Sequence, residues 1–173
     1  LARGADGAWR VIDNHTETLA GVGFALANRV AHSHVAGDLL RSCNAIRTAG
    51  YFQRLQSALT AHSGRDDPRC ALLSPGPHHE DYFSHAYIAR YLGYLLVEGS
   101  DLRTRAGKVF LKTLEGLKEI DLIVRCVEGR SCDPLELDSA GFLGPVGLMQ
   151  AFRRSPRLLA NAIGSAVAQN RGL

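Results

Sequence analysis

Leu72-Leu73-Ser74-Pro75-Gly76-Pro77-His78-His79-Glu80-Asp81-Tyr82-Phe83-Ser84-His85-Ala86-Tyr87 decides how this chain folds. A compact apolar run over Arg69 to Ser74 reads as a buried strand. The Pro-Gly-Pro loop ends it, and Phe83, Tyr87 and Tyr91 then recur at helical spacing up to a terminating Gly93. Leu95 to Glu98 reads as the next strand. Strand, helix and strand joined by short loops favour parallel pairing, so the expectation is an α/β fold. Its form is a Rossmann-like open sheet with flanking helices. The start of the helix also carries chemistry: unpaired backbone N–H groups and the helix dipole favour anions there. A binding loop and an ordinary strand-to-helix turn with an acidic first turn are both open at this point.

Outward from that unit the pattern changes twice. Trp9 to Asp13 is expected as a short strand, Leu19 to Val35 and Tyr51 to His62 as helices, with Gly37 to Gly50 ambiguous. Beyond the core unit, Asp101 to Arg105 and Lys108 to Leu114 flank Ala106-Gly107 as an added β-hairpin. Glu119 to Val127 reads as a further strand, and Phe142 to Phe152 and Leu158 to Gln169 as helices. The expected division is residues 1–66, an N-terminal strand and helices, against residues 67–173, the α/β unit with its added hairpin.

Composition narrows the function. The 173 residues are 46% hydrophobic and 21% charged, enough to bury a core. Net charge is only +3 and no Lys/Arg run occurs, which argues against a nucleic-acid partner. No apolar run approaches the roughly 18 residues that a membrane span needs. Cys43, Cys70, Cys126 and Cys132 show no C-x-x-C spacing, so a reducing, cytoplasmic setting with free thiols is expected. The first residue is Leu1 where Met would be usual, and the expectation is a segment of a longer protein.

Three constellations carry chemistry. Asp13-Asn14-His15-Thr16-Glu17-Thr18 offers hard oxygen ligands of the kind Mg²⁺ takes together with phosphate and water, or else plain helix capping. Gly21-x-Gly23, just beyond, lacks the third glycine of a nucleotide fingerprint. His78-His79-Glu80, with Tyr82 and His85, suits polar contacts to a substrate carboxylate or amine, or loop histidines satisfied locally. Zinc lacks its x-x-His continuation there. Arg125, at a strand end, needs an anion: a substrate carboxylate or phosphate gripped bidentately, or a salt bridge to Glu128 or Asp133. Asn161 with Gly164-Ser165 presents small polar groups to a ligand, or permits close helix packing.

Taken in order, these residues resemble the circularly permuted type 2 ATP-grasp family. The resemblance starts with Trp9 to Thr18 and Gly21 to Arg29, then Leu73 to Pro77 with Glu80, Tyr82-Phe83 and His85 to Tyr87. It continues through Ala89 to Gly93, Leu96 to Gly99, Leu111 to Leu117, Cys132 to Leu137 and Asn161 to Ser165. Two departures stand out: Asp13-Asn14-His15-Thr16 where many relatives have Asp-Arg-Thr-Gln, and Cys126-Val127-Glu128-Gly129 after Arg125.

The resemblance implies a substrate-binding segment of an ATP-dependent carboxylate–amine ligase, working through an acyl-phosphate, with residues 1–66 at the edge of the ATP-grasp-like region and 67–173 as a Rossmann-like substrate-binding domain. ATP and Mg²⁺ would be cofactors of the full-length protein. Its partners would be the remaining ATP-grasp portion and a small amino-acid or peptide substrate. On this analogy Asp13 and Asn14 are metal-binding, and Arg125 faces the substrate carboxylate as a catalytic group. Gly76, Glu80, Tyr82, His85, Asn161 and Ser165 are substrate-binding. Two other classes stay open: a non-catalytic binding or assembly module on the same scaffold, and a metal-dependent hydrolase using the His cluster.

Overall fold

Residues 1–170 are described in the computed structural model. Its centre is a four-stranded parallel sheet in the order β4-β3-β8-β9, built from β3 (Cys70–Leu73), β4 (Leu95–Val97), β8 (Leu122–Arg125) and β9 (Leu159–Ala160). Residues 1–66 supply β1 (Ala2–Arg3), β2 (Trp9–Arg10), α1 (Val22–Val35), α2 (Gly37–Ser42) and α3 (Ala49–Ser63). Helix α4 (Tyr82–Leu92) connects β3 to β4, closing the strand–helix–strand unit expected from the sequence. The α/β reading holds.

Every residue of β3 is buried, as expected where both faces of a parallel sheet are covered. Side chains alternate between the faces. Cys70 and Leu72 meet helix residues such as Leu26, Phe52, Leu59, Ile88 and Leu92, while Ala71 and Leu73 face Val97, Ile123, Leu148 and Ala151. Residues 1–66 therefore share their core with the later part of the chain: Leu26 and Phe52 lie in one cluster with Leu72 and Ile88.

On the opposite face lies an antiparallel sheet of β5 (Leu102–Arg105), β6 (Lys108–Thr113) and β7 (Gly116–Ile120). Ala106 and Gly107, with φ of 52° and 72°, form the β5–β6 turn where the hairpin was expected. Leu102, Val109 and Ile120 seal this sheet onto the parallel one, together with α5 (Leu148–Arg154).

Four expectations need correction. The strand at Trp9 stops at Arg10, and Trp9, Val11 and Ile12 are exposed among the described residues; it pairs with Ala2–Arg3. The single strand over Glu119 to Val127 is two strands in different sheets. Asp121 is the switch point, holding the Arg69 N–H at 2.8 Å and Arg65 Nε at 2.8 Å. The helix expected from Phe142 starts only at Leu148. Gly144 lies so close to Cys132 that an added Cβ would stand 2.0 Å from the Cys132 carbonyl oxygen, and buried Asp133 gathers the N–H groups of Leu135, Gly147 and Met149. Finally, Leu158 to Gln169 is no helix: β9 adds a parallel edge to β8, then Asn161 (φ 53°) and Gly164 (φ 95°) reverse the chain into a 3₁₀ turn over Ser165–Gln169.

Candidate functional site at the carboxyl edge of the parallel sheet

In open α/β sheets ligands bind beyond the carboxyl ends of the strands. Here β3 and β8 run side by side, Leu73 opposite Arg125, and the loops that follow them are stitched together by the Cys126 N–H donating to the Leu73 carbonyl at 2.9 Å.

Arg125 is fully buried. Its Nε donates to the Asn161 carbonyl (3.2 Å), one Nη to the Val127 carbonyl (2.5 Å), and the other to the Ala162 carbonyl (3.4 Å) and Ser165 Oγ (3.3 Å). Its charge is met by Glu17, 3.7 Å away, rather than by Glu128 or Asp133. Glu17 in turn accepts the Gly129 N–H at 2.8 Å. Asn161 completes the junction: its amide oxygen accepts the Arg125 N–H at 3.0 Å, and its amide nitrogen donates to the carbonyls of Glu17 (2.6 Å) and Arg125 (2.7 Å). Ser165 Oγ donates to the Thr16 carbonyl at 2.9 Å, and Thr16 Oγ1 donates to the Ser165 carbonyl at 2.6 Å. One buried guanidinium thus binds three segments distant in sequence: the 13–19 strap, the loop after β8 and the loop after β9. A carbonyl-rich cage fits a guanidinium's fixed fork of donors.

Beside this junction sits the loop after β3. Ser74 and His85 are both buried, with Ser74 Oγ 3.2 Å from His85 Nδ1. Ser74 Oγ also accepts the Gly76 N–H at 3.3 Å. Gly76 takes φ 105°, and a Cβ there would stand 3.2 Å from the Glu98 carboxylate, so glycine lets the loop approach β4's end. Burial lowers the His85 pKa, against the opposing pull of Asp81, with His79 adding to the lowering. His79 stacks on His85 with ring centroids 5.9 Å apart. Asp81 already occupies the start of α4, where its carbonyl accepts the His85 N–H. The helix start therefore carries a carboxylate of its own.

Of the residues singled out in the sequence, Arg125 bonds directly to both Asn161 and Ser165, and Gly76 and His85 meet through Ser74. Glu80 is exposed and Tyr82 half-buried on the adjoining loop. Asp13 is half-buried and Asn14 exposed at the start of the strap, and the Asp13 carboxylate accepts the Asn14 N–H at 2.9 Å. Among the described residues no group of three or more His, Cys, Asp or Glu side chains is gathered as for a metal. Asp13 and Asn14, neighbours in sequence, carry oxygen atoms of the hard type that Mg²⁺ accepts beside phosphate and water. The two buried thiols beside Arg125 are unreactive in character: burial drives Cys126 up to about 12 and Cys132 up to about 11.

Sequence reasoning missed Glu17 as the partner of Arg125, and Ser74 as the anchor of the loop. Part of the signal was present: a strand-end arginine in an apolar setting demands a carboxylate, but nothing local singles out Glu17, which the strap brings to it. Gly21-x-Gly23 also finds its meaning. Gly21 caps α1 with φ 72°, and Gly23 lets α1 touch α4, where a Cβ would sit 2.1 Å from the Ser84 carbonyl oxygen.

The family model described as circularly permuted ATP-grasp type 2 matches residues 1–173. An uncharacterised protein of Mycobacterium tuberculosis is 37% identical over 175 residues, covering 100% of this chain and 20% of the relative. A second from the same organism is 32% identical over 173 residues, covering 99% of this chain and 31% of that protein. One from Synechocystis is 29% identical over 173 residues, covering 99% of this chain and 36% of it. The chain spans between about a fifth and about a third of the length of these relatives. No helix among the described residues is long and apolar enough to cross a membrane.

Proposed function

The chain belongs to the circularly permuted type 2 ATP-grasp family, and from that premise we propose that it is the substrate-binding segment of an ATP-dependent carboxylate–amine ligase. The family match over residues 1–173 carries the reading. When bound, MgATP would phosphorylate a substrate carboxylate, releasing ADP, and an amine would then displace phosphate to form the amide. Such chemistry needs a positioned carboxylate, donors for the developing charge and exclusion of water.

Placement supports each proposed role. Glu80 and Tyr82, accessible on the loop after β3, contact the amine or acid. Asp13 and Asn14 at the strap hold the metal. Arg125, buried in its cage, acts as a positioning residue: with Asn161 and Ser165 it fixes the strap against the two edge loops. Gly76 and His85 fix the β3 loop in the same way. The rest of a longer polypeptide supplies most of the nucleotide pocket.

The test is ADP release by the intact protein that contains this segment, screened against pairs of amino acids or small peptides. Turnover that requires both an acid and an amine is expected. Glu80→Ala should raise KM at least several-fold with folding intact. Arg125→Ala should lower stability by about 3–5 kcal/mol, because it leaves Glu17 and a ring of carbonyls unpaired. Arg125→Lys keeps the charge but loses the fork, and should restore kcat only in part. A screen without amine-dependent release, or a Glu80 variant indistinguishable from the parent, would remove the assignment.

A second reading, a non-catalytic assembly module, draws on a different place. A cleft of about 720 Å³ lies between α1 and the α2–α3 segment, with Arg29, Arg41 and Arg47 on its walls. It predicts tight retention of an acidic partner and no ADP release by the intact protein.

A further inference from the structure

Charge is distributed unevenly along the chain, and the helical layer is where it gathers. Between positions 18 and 65 stand Arg29, Arg41, Arg47, Arg54 and Arg65 against Asp38 alone. Asp38 is spent on Arg41, its ion-pair partner on α2, and Arg65 is taken up by Asp121. Arg29 and Arg47 make no ion pair among the described residues, although Arg29 is half-buried. Both line the cleft of about 720 Å³ between α1 and the α2–α3 segment. An Nη of Arg29 donates to the Ile46 carbonyl at 2.5 Å, which holds its head group against the residue preceding Arg47. One carbonyl engages a single donor of the guanidinium's fork and leaves its charge uncompensated. The rest of the cleft is apolar in character: buried Leu26, then Val30, Leu40 and Tyr91, whose ring meets Phe52 edge-on at 5.1 Å.

We propose that this cleft binds a small organic phosphate, its dianionic head between Arg29 and Arg47 and its compact aromatic or aliphatic body on Leu26, Val30, Leu40 and Tyr91. Guanidinium forks match phosphate oxygens bidentately, and two uncompensated cations call for a dianion. The volume falls within the roughly 300–1,000 Å³ of small-molecule pockets, which pair apolar walls with a few placed polar groups. Cationic charge gathered on one segment beside an apolar floor suits a single anionic head with a body. A run of carboxylates on an acidic polypeptide would call for charge spread along an open face. The cleft shares no lining residue with the sheet-edge site, so it stands apart from the ligase reading, and its test reads binding without turnover.

Phenyl phosphate is the probe, titrated into the intact protein that contains this segment, with its Leu and Val methyl groups ¹³C-labelled. Saturable shifts at the methyls of Leu26, Val30 and Leu40 are expected. Inorganic phosphate, which lacks the body, should bind there about 10-fold or more weakly. Phenol, which lacks the anion, should give no saturable shift at these methyls. Arg47→Gln, at an exposed position, should weaken phenyl phosphate roughly 10-fold or more, the worth of a charge-assisted hydrogen bond. Arg29→Lys keeps the charge but loses the fork and should weaken it less. Arg105→Gln removes the same unit of charge from the antiparallel sheet and should leave binding unchanged. Absence of saturable shifts with phenyl phosphate would overturn the site. So would equal weakening by Arg47→Gln and Arg105→Gln, which would mark general attraction to a basic surface. Shifts at these methyls with poly-glutamate and none with phenyl phosphate would replace the proposal by an acidic polypeptide partner.

Discussion

At the scale of single residues, the chemistry of the sheet edge is set by groups withdrawn from water. Arg125 shows how far sequence can reach. A guanidinium at the end of an apolar strand announces its need for anionic company, and that need was legible; the identity of Glu17 was not, because only the tertiary fold brings the strap beside the end of β8. His85 is the clearest lever on pH. Its folded pKa lies below its ordinary value of about 6.5, so the unfolded chain binds a proton that the folded chain refuses. Stability from this group is therefore complete above the ordinary histidine value and is lost as pH falls from there toward the depressed folded value. Denaturant midpoints should drop between neutral pH and mildly acidic pH, and His85→Asn should flatten that slope. An unaltered slope in the variant would assign the acid lability to other groups.

At the scale of elements, the strand–helix–strand unit was readable because each signal agreed with the next. An apolar run, a Pro-Gly-Pro interruption, a helical aromatic period and Gly93 all point to the same structure. The failures share a cause. Strand β9 has two residues, and no periodicity can mark an element that short; its edge pairing with β8 is decided by Asn161, whose amide bridges the two segments. Strands β7 and β8 fused in the sequence reading because Asp121 breaks the line by tertiary bonds to Arg65 and Arg69, which local pattern does not encode. The contact between α1 and α4 offers a direct test. Gly23 donates its N–H to Ser84 Oγ at 3.0 Å and admits no side chain against the Ser84 backbone. Gly23→Ala should destabilise the fold by about 1–3 kcal/mol, as overpacking does, despite alanine's better helix propensity. Chemical denaturation of the variant measures this, and a gain in stability would contradict the close approach.

At the scale of the whole molecule, three layers hold the parallel sheet so that its carboxyl edge is the place where distant polar residues gather. The strap, the β3 loop, the β8 loop and the β9 loop all end there, and Arg125, Ser74 and Asn161 tie them from below. That arrangement leaves Glu80 and Tyr82 at the accessible level and the buried charges as support. The proposed ligase reading makes one chemical demand beyond binding: an oxygen of the substrate carboxylate must leave with phosphate. The most direct measurement therefore gives the intact protein ATP, Mg²⁺ and a mixture of amino acids carrying ¹⁸O in their carboxylates, and examines the phosphate released. One ¹⁸O transferred into phosphate per amide formed is the expected result. Phosphate free of the label, formed alongside ADP, would contradict the account.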